Sequence, residues 1–293
     1  MTLQRLITIA AILVLTAACQ PSDSGSSESG ADSSGSGATP ASSAQRESSP
    51  ETPDAVADRD VLAERLPYAE VADELVYGYF AFPTDMIEPL PAVIIIHEWW
   101  GLDEHIQTVA ESLAAQGYIV LAVDLFNGDT ATTVDAARTL VQRGLENADQ
   151  LEDNIRQAHD FITMTAGAPK VATVGWGFGG GWSLNAAISL SDQLDAAVIY
   201  YGQVTDDEDQ LRQMTAPVLG HFGSRDVVIT PESVAAFEAA MGRLRKDYEV
   251  HSYRDARHAF SNPSASAYDA GQANEAWQRT LAFLEQRLAS DED

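Results

Sequence analysis

Cysteine occurs once in this chain of 293 residues, at Cys19, which excludes an intrachain disulfide, a cysteine-ligated zinc site and a cysteine nucleophile in the folded part. Lysine is nearly as scarce, confined to Lys170 and Lys246. With 17 basic residues against 44 acidic ones the formal charge is −27, so no stretch offers the basic surface that phosphate backbones require, and nucleic acid is not an expected partner. That acidity favours solubility and repels anionic polymers and headgroups, but is silent on fold. Long apolar runs are also missing: the leading one, Leu6 to Ala18, falls short of the roughly 20 residues of a bilayer-spanning helix. What is present, 45% apolar and 21% charged residues, suits one medium-sized globular domain and excludes a disordered chain.

Residues 1–18 carry one positive charge at Arg5, a short apolar stretch and small residues at Ala17 and Ala18, the three regions of a secretory signal peptide. Leu15-Thr16-Ala17-Ala18-Cys19 resembles the bacterial lipobox, in which the cysteine is acylated and becomes the first residue of the mature protein. This predicts an exported protein anchored through Cys19 to a membrane. Gln20 is not the aspartate that resembles an inner-membrane retention signal, so the outer membrane or cell surface is the preferred destination, with a periplasmic or secreted protein as the alternative. Residues 19–57 add a Ser/Gly-rich stretch with almost nothing bulky to bury, a flexible tether. Residues 58–293 are left for the folded domain.

In that domain short β-rich apolar runs alternate with longer stretches of helical spacing, which predicts an α/β fold with a mainly parallel sheet and helices on both faces. Expected strands are Glu74–Phe82 as the opening strand, Ala92–Ile96, Tyr118–Val123, Val171–Val174, Ala196–Tyr201, Pro217–Phe222 and Glu249–Tyr253. Expected helices are 104–116, Thr133–Gly144, Asp149–Thr165, Gly179–Leu190, Pro231–Leu244 and Ala273–Leu288, with Trp277 on the apolar face of the last.

Chemistry in such a sheet gathers at the carboxyl ends of the strands. The candidates there are His97-Glu98-Trp99-Trp100-Gly101, the run Gly175-Trp176-Gly177-Phe178-Gly179-Gly180-Gly181, then Asp226 and His258. A strand, a tight glycine-flanked turn and a helix form the nucleophile elbow of α/β-hydrolases, and an acid followed by a histidine further along is that fold's triad order.

These segments resemble the dienelactone hydrolase family over about Tyr68 to Leu288. His97–Leu102 is similar to the family's His-Glu-x-x-Gly-Leu loop and Gly175–Gly180 to its Gly-x-Cys-x-Gly-Gly elbow; Tyr200–Gly202, His221–Asp226 and Arg257–Phe260 fit its later segments. The resemblance implies that Asp226 and His258 are acid and base and that Glu98 matches the glutamate paired with the resting nucleophile. It also implies that backbone N–H groups of Trp99 and Phe178 line an oxyanion hole for a carboxylic ester or lactone. Trp99, Trp100, Trp176, Phe178 and Phe260 are expected to surround an apolar cleft, with Trp100, Trp176 and Phe260 as substrate contacts. The departure is central: Gly177 stands where the family has its nucleophile, and Asn262 where an arginine commonly partners the glutamate. Ser183, inside the expected helix, reads as a packing residue. The expectation is a dienelactone-hydrolase-like scaffold with weak or lost activity, the alternative a non-catalytic small-molecule-binding lipoprotein.

Two other classes compete. Gly175-x-Gly177-x-x-Gly180 formally matches a dinucleotide fingerprint, but no acidic residue stands at the exit of the following strand, which reads Gly202-Gln203. His97-Glu98 prompts zinc hydrolysis, but residue 101 is Gly where that motif needs a second histidine. No cofactor or metal is therefore expected. His221, ending an apolar run, reads as a core histidine.

Overall fold

A computed structural model describes residues 59–289. The signal peptide, Cys19 and the tether expected over residues 1–57 lie outside the described residues.

Eight strands form one sheet in the order β1-β2-β4-β3-β5-β6-β7-β8. They are β1 (Val61–Val71), β2 (Glu74–Pro83), β3 (Ala92–Ile96), β4 (Ile119–Val123), β5 (Val171–Trp176), β6 (Ala196–Tyr200), β7 (Val218–Gly223) and β8 (Tyr248–Tyr253). β2 runs antiparallel to both β1 and β4, and every later pairing is parallel. The central strands are continuous apolar runs because both of their faces are covered. Period-2 alternation divides them: Ile94 and Ile96 join the core on one face, Val93 and Ile95 the core on the other.

Helices α1 (Glu104–Ala115) and α7 (Ala270–Leu288) cover the second face through Ile106, Ala110, Leu113, Phe283 and Leu284. The first face is covered by α2 (Val134–Glu146), α3 (Ala148–Asp160), α4 (Phe178–Ser189), α5 (Glu208–Gln213) and α6 (Pro231–Leu244). Caps set their starts. Asp103 accepts from the Ile106 N–H at α1, and Thr230 caps α6 with Pro231 in its first turn.

Three elements differ from expectation. β1 precedes the expected opening strand; Pro67 lies within it, where the β1–β2 register shifts between Pro67 and Ala69, a position an edge strand tolerates. The helix expected to reach Thr165 stops at Asp160 and continues as one π-helical turn, Phe161–Thr165. Helix α5, six residues long and capped by Asp207, was not expected at all.

Candidate active site

The parallel strands deliver their exits to one edge of the sheet, and each expected segment emerges there. β3 leads into His97-Glu98, β5 into Gly177, β6 into Tyr201, β7 into Asp226 and β8 into His258.

Asp226 and His258 are brought together: His258 Nδ1 donates to Asp226 Oδ2 at 2.8 Å. The other carboxylate oxygen accepts the N–H groups of Val228 at 2.7 Å and Ile229 at 2.9 Å, so the acid is locked while its side chain is fully buried. With Nδ1–H committed to the carboxylate, Nε2 is the basic nitrogen of a ring whose side chain is one-third exposed. Arg225 ties the two loops together through Asp255 at 2.6 Å.

Between β5 and α4, Gly177 adopts φ 52° and ψ −112°, a backbone that side-chain-bearing residues adopt only under strain. Its N–H donates to the Tyr200 carbonyl at 2.9 Å. A Cβ built there meets nothing closer than Tyr201 Cε2 at 4.0 Å, so the corner faces open space. The neighbouring glycines answer a different need. A Cβ at Gly179 would lie 2.1 Å from the Ile96 carbonyl oxygen, and one at Gly175 would lie 2.0 Å from the Gly179 oxygen. Close approach of α4 to β3 and β5 therefore accounts for the run that formally matches a dinucleotide fingerprint.

The β3 loop is fixed from beneath by His97, which is fully buried. Its Nδ1–H donates to the Glu98 carbonyl at 2.6 Å, and Nε2 accepts the Leu125 N–H at 3.0 Å. Burial pushes its pKa below 6.5, in keeping with a neutral ring that serves the backbone. Glu98, buried beside it, accepts from the Tyr201 hydroxyl at 3.0 Å and from the Asn262 side-chain amide. Asn262 thus supplies the partner that sequence left open, and it is a neutral one. Burial raises the Glu98 carboxyl above its ordinary value, opposed by the bonds from Asn262 and Tyr201 and by the charge of His258.

Tyr201 was not singled out by sequence reasoning, although the Tyr-Tyr-Gly segment containing it was. Its φ of 37° is unusual for a bulky residue, its hydroxyl lies 3.1 Å from Ser261 Oγ, and its ring centroid is 5.3 Å from that of His258. It connects Glu98, the Gly177 corner and the histidine. Burial first, then the neighbouring carboxyl, pushes its hydroxyl pKa well above 10.

The aromatic residues divide. Phe178 begins α4, and with Gly177, Gly181, Trp182 and Val204 it lines a cavity of about 410 Å³. Trp99 and Trp100 are half-buried and pack edge to face at 4.9 Å, and Trp99 lines a groove together with Val141 and Leu145 of α2. Trp176 lies instead on the opposite face of the sheet, stacked on Tyr200 at 5.0 Å, because strand alternation turns the residue before the corner away from it. It borders a separate cavity of about 250 Å³ with His105 and Trp277. Phe260 is fully buried against Tyr201 and Tyr253, at 5.6 and 4.8 Å, so it supports the tyrosine from within the core and touches no opening. Both rings are corrections to the expected substrate contacts. Ser183 is buried with its hydroxyl 2.8 Å from that of Thr173, a packing role as expected, and His221 is enclosed between Tyr253 and Thr280.

The strand order, the corner and the acid–histidine pair are those of the α/β-hydrolase fold. Residues 76–288 match the dienelactone hydrolase family, and the chain belongs to that family. It is 31% identical over 229 residues to a carboxymethylenebutenolidase homologue of Yersinia pestis, covering 73% of this chain and 84% of the relative. A 2-oxo-3-(5-oxofuran-2-ylidene)propanoate lactonase homologue of Bradyrhizobium is 30% identical over 213 residues, covering 68% and 85% respectively. The crystal structure of a dienelactone hydrolase homologue from Klebsiella pneumoniae superposes with a TM-score of 0.71 at 26% identity, covering 78% of this chain and 100% of that one. A dienelactone hydrolase-like phosphotriesterase from metagenomic libraries shares the fold, with a TM-score of 0.72 at 22% identity over 78% of this chain and 99% of its own.

Proposed function

We propose that the protein is a dienelactone-hydrolase-type scaffold for carboxylic esters or lactones in which Gly177 occupies the nucleophile position. Covalent turnover is lost, and any residual turnover uses water. The observation that carries this reading is a corner held at φ 52° with open space above it, beside an oriented Asp226–His258 pair.

Covalent acyl transfer needs a side-chain oxygen or sulfur next to a base, and glycine has neither. In the water route the water oxygen bonds to the acyl carbon while its proton passes to His258 Nε2. The tetrahedral oxyanion is held by the N–H groups of Trp99 and Phe178, the latter free of helical partners because it opens α4. Collapse breaks the bond to the leaving oxygen, which takes the proton back from the imidazolium. General-base assistance of this type contributes about 10² to 10⁴-fold, enough for measurable cleavage of an activated ester.

Aryl-ester and dienelactone assays on the full chain test it. His258→Ala is expected to abolish any turnover. Gly177→Cys and Gly177→Ser are expected to create or raise esterase activity, at a stability cost of about 1–2 kcal/mol for placing a side chain at positive φ. Folded variants with unchanged rates would overturn the assignment of the corner. Absence of all turnover in the unmutated chain favours the ligand-binding alternative on the same fold.

A further inference from the structure

We infer that the cavity beside Gly177 takes neutral esters or lactones with an apolar acyl or ring portion and discriminates against substrates that carry a carboxylate. This deepens the hydrolase reading above and rests on it for the location of the reacting bond.

The cavity, about 410 Å³, falls within the ~300–1,000 Å³ of small-molecule sites. Its apolar wall includes Phe178, Trp182, Leu184 and Val204, and its polar side chains are the amides Asn185, Gln203 and Gln210 and the Thr205 hydroxyl; among the described residues none that line it is charged. The nearby arginines are turned to other work. Arg225 pairs with Asp255 at 2.6 Å, Arg257 donates to the Ser266 carbonyl at 3.3 Å, and Arg138, by the Trp99 groove, pairs with Asp135 at 3.3 Å. Asp226 and Glu98 lie outside this lining, Asp226 paired with His258 and Glu98 bonded by the neutral donors Tyr201 and Asn262. A ligand carboxylate here would lose its hydration and find no cationic side chain in the lining, on a chain whose net charge of −27 already repels anions on approach. The lactone in the Bradyrhizobium relative's name is a propanoate and carries that carboxylate; this site is built for the uncharged counterpart.

Calorimetry with two uncleavable ketones of similar shape, 1-phenylpentan-1-one and 4-oxo-4-phenylbutanoate, tests this on the unmutated full chain and needs no turnover. The neutral ketone is expected to bind about tenfold or more tightly than the carboxylate, a gap that widens as salt is lowered. Asn185→Arg, at an exposed position on the cavity rim, is expected to narrow the gap by strengthening carboxylate binding. Equal or tighter binding of the carboxylate overturns the inference, as does failure of both ketones to bind. Neither result touches the Gly177 and His258 assignment, whose readout is ester cleavage.

Discussion

Glu98 is a carboxyl group held out of water by neutral neighbours, and that arrangement has a thermodynamic signature. Burial places its folded pKa above the ordinary 4.5, so between those two values the folded state binds the proton more readily than the unfolded chain does. Its contribution to stability is therefore fully present below 4.5 and is lost as pH rises through the folded value. At neutral pH, above the ordinary 4.5, this upward shift opposes folding. Glu98→Gln keeps the shape: the amide oxygen accepts from Asn262 and the amide nitrogen donates to a rotated Tyr201 hydroxyl. It is expected to raise the denaturant midpoint at pH 7 and to show no such gain below pH 4.5, as measured by urea unfolding at both pH values. A lower midpoint at pH 7 would mean that the carboxylate is better compensated than its partners indicate. At this scale Asp226 and His258 were legible in the sequence because their order and their post-strand positions carry meaning without coordinates. Tyr201 was not. Its role depends on a positive φ and on three neighbours drawn from distant segments, and no local pattern encodes that.

Helix α4 approaches the sheet closely enough that its first turn admits hydrogen atoms but no methyl groups. A Cβ at Gly179 would stand 2.1 Å from one backbone oxygen and 2.4 Å from the next, those of Ile96 and His97. Backbone cannot yield as a flexible side chain can, so Gly179→Ala is expected to cost about 3 kcal/mol or more, read as a shift in thermal or urea unfolding. Gly242 makes the contrast within α6, where a Cβ would meet only the Tyr248 hydroxyl at 3.5 Å; Gly242→Ala is expected to stabilise by about 0.5–1 kcal/mol. Equal effects at the two positions would contradict the close-approach account. Elements read well from sequence where burial is total, as in β3, whose expected and observed bounds coincide. β1 was missed because an internal proline argues against a strand unless the strand is known to lie at the edge, which is a fact of sheet order. α5 was missed because six residues leave too little periodicity to register, and the π turn after Asp160 has the same apolar spacing as the helix it extends.

Across the whole molecule, buried neutral histidines contribute a loss of stability toward acid pH. His97 and His221 both lie in the core with pKa values depressed by burial, that of His221 well below 6.5. Below 6.5 the unfolded chain takes up protons that the folded chain refuses, so their contribution is present above that value and is lost as pH falls. The denaturant midpoint is expected to decline between pH 7 and pH 5; a flat profile over that range would contradict the buried neutral assignment. The global fold was largely legible because alternation of apolar runs and helical stretches constrains topology strongly. What sequence left unresolved was which aromatic rings face which side of the sheet, and Trp176 and Phe260 both turned inward on that point.

The corner at residue 177 combines a left-handed backbone with open space above it, and on the reading proposed above this has an evolutionary implication. Where its glycine is encoded as GGT or GGC, a single base change yields serine or cysteine, and the acid, the imidazole and the opening are already in position around it. On the proposed reading of Gly177, a single substitution at the level of DNA would supply the reacting group, and the domain is a scaffold from which an esterase could emerge by one step.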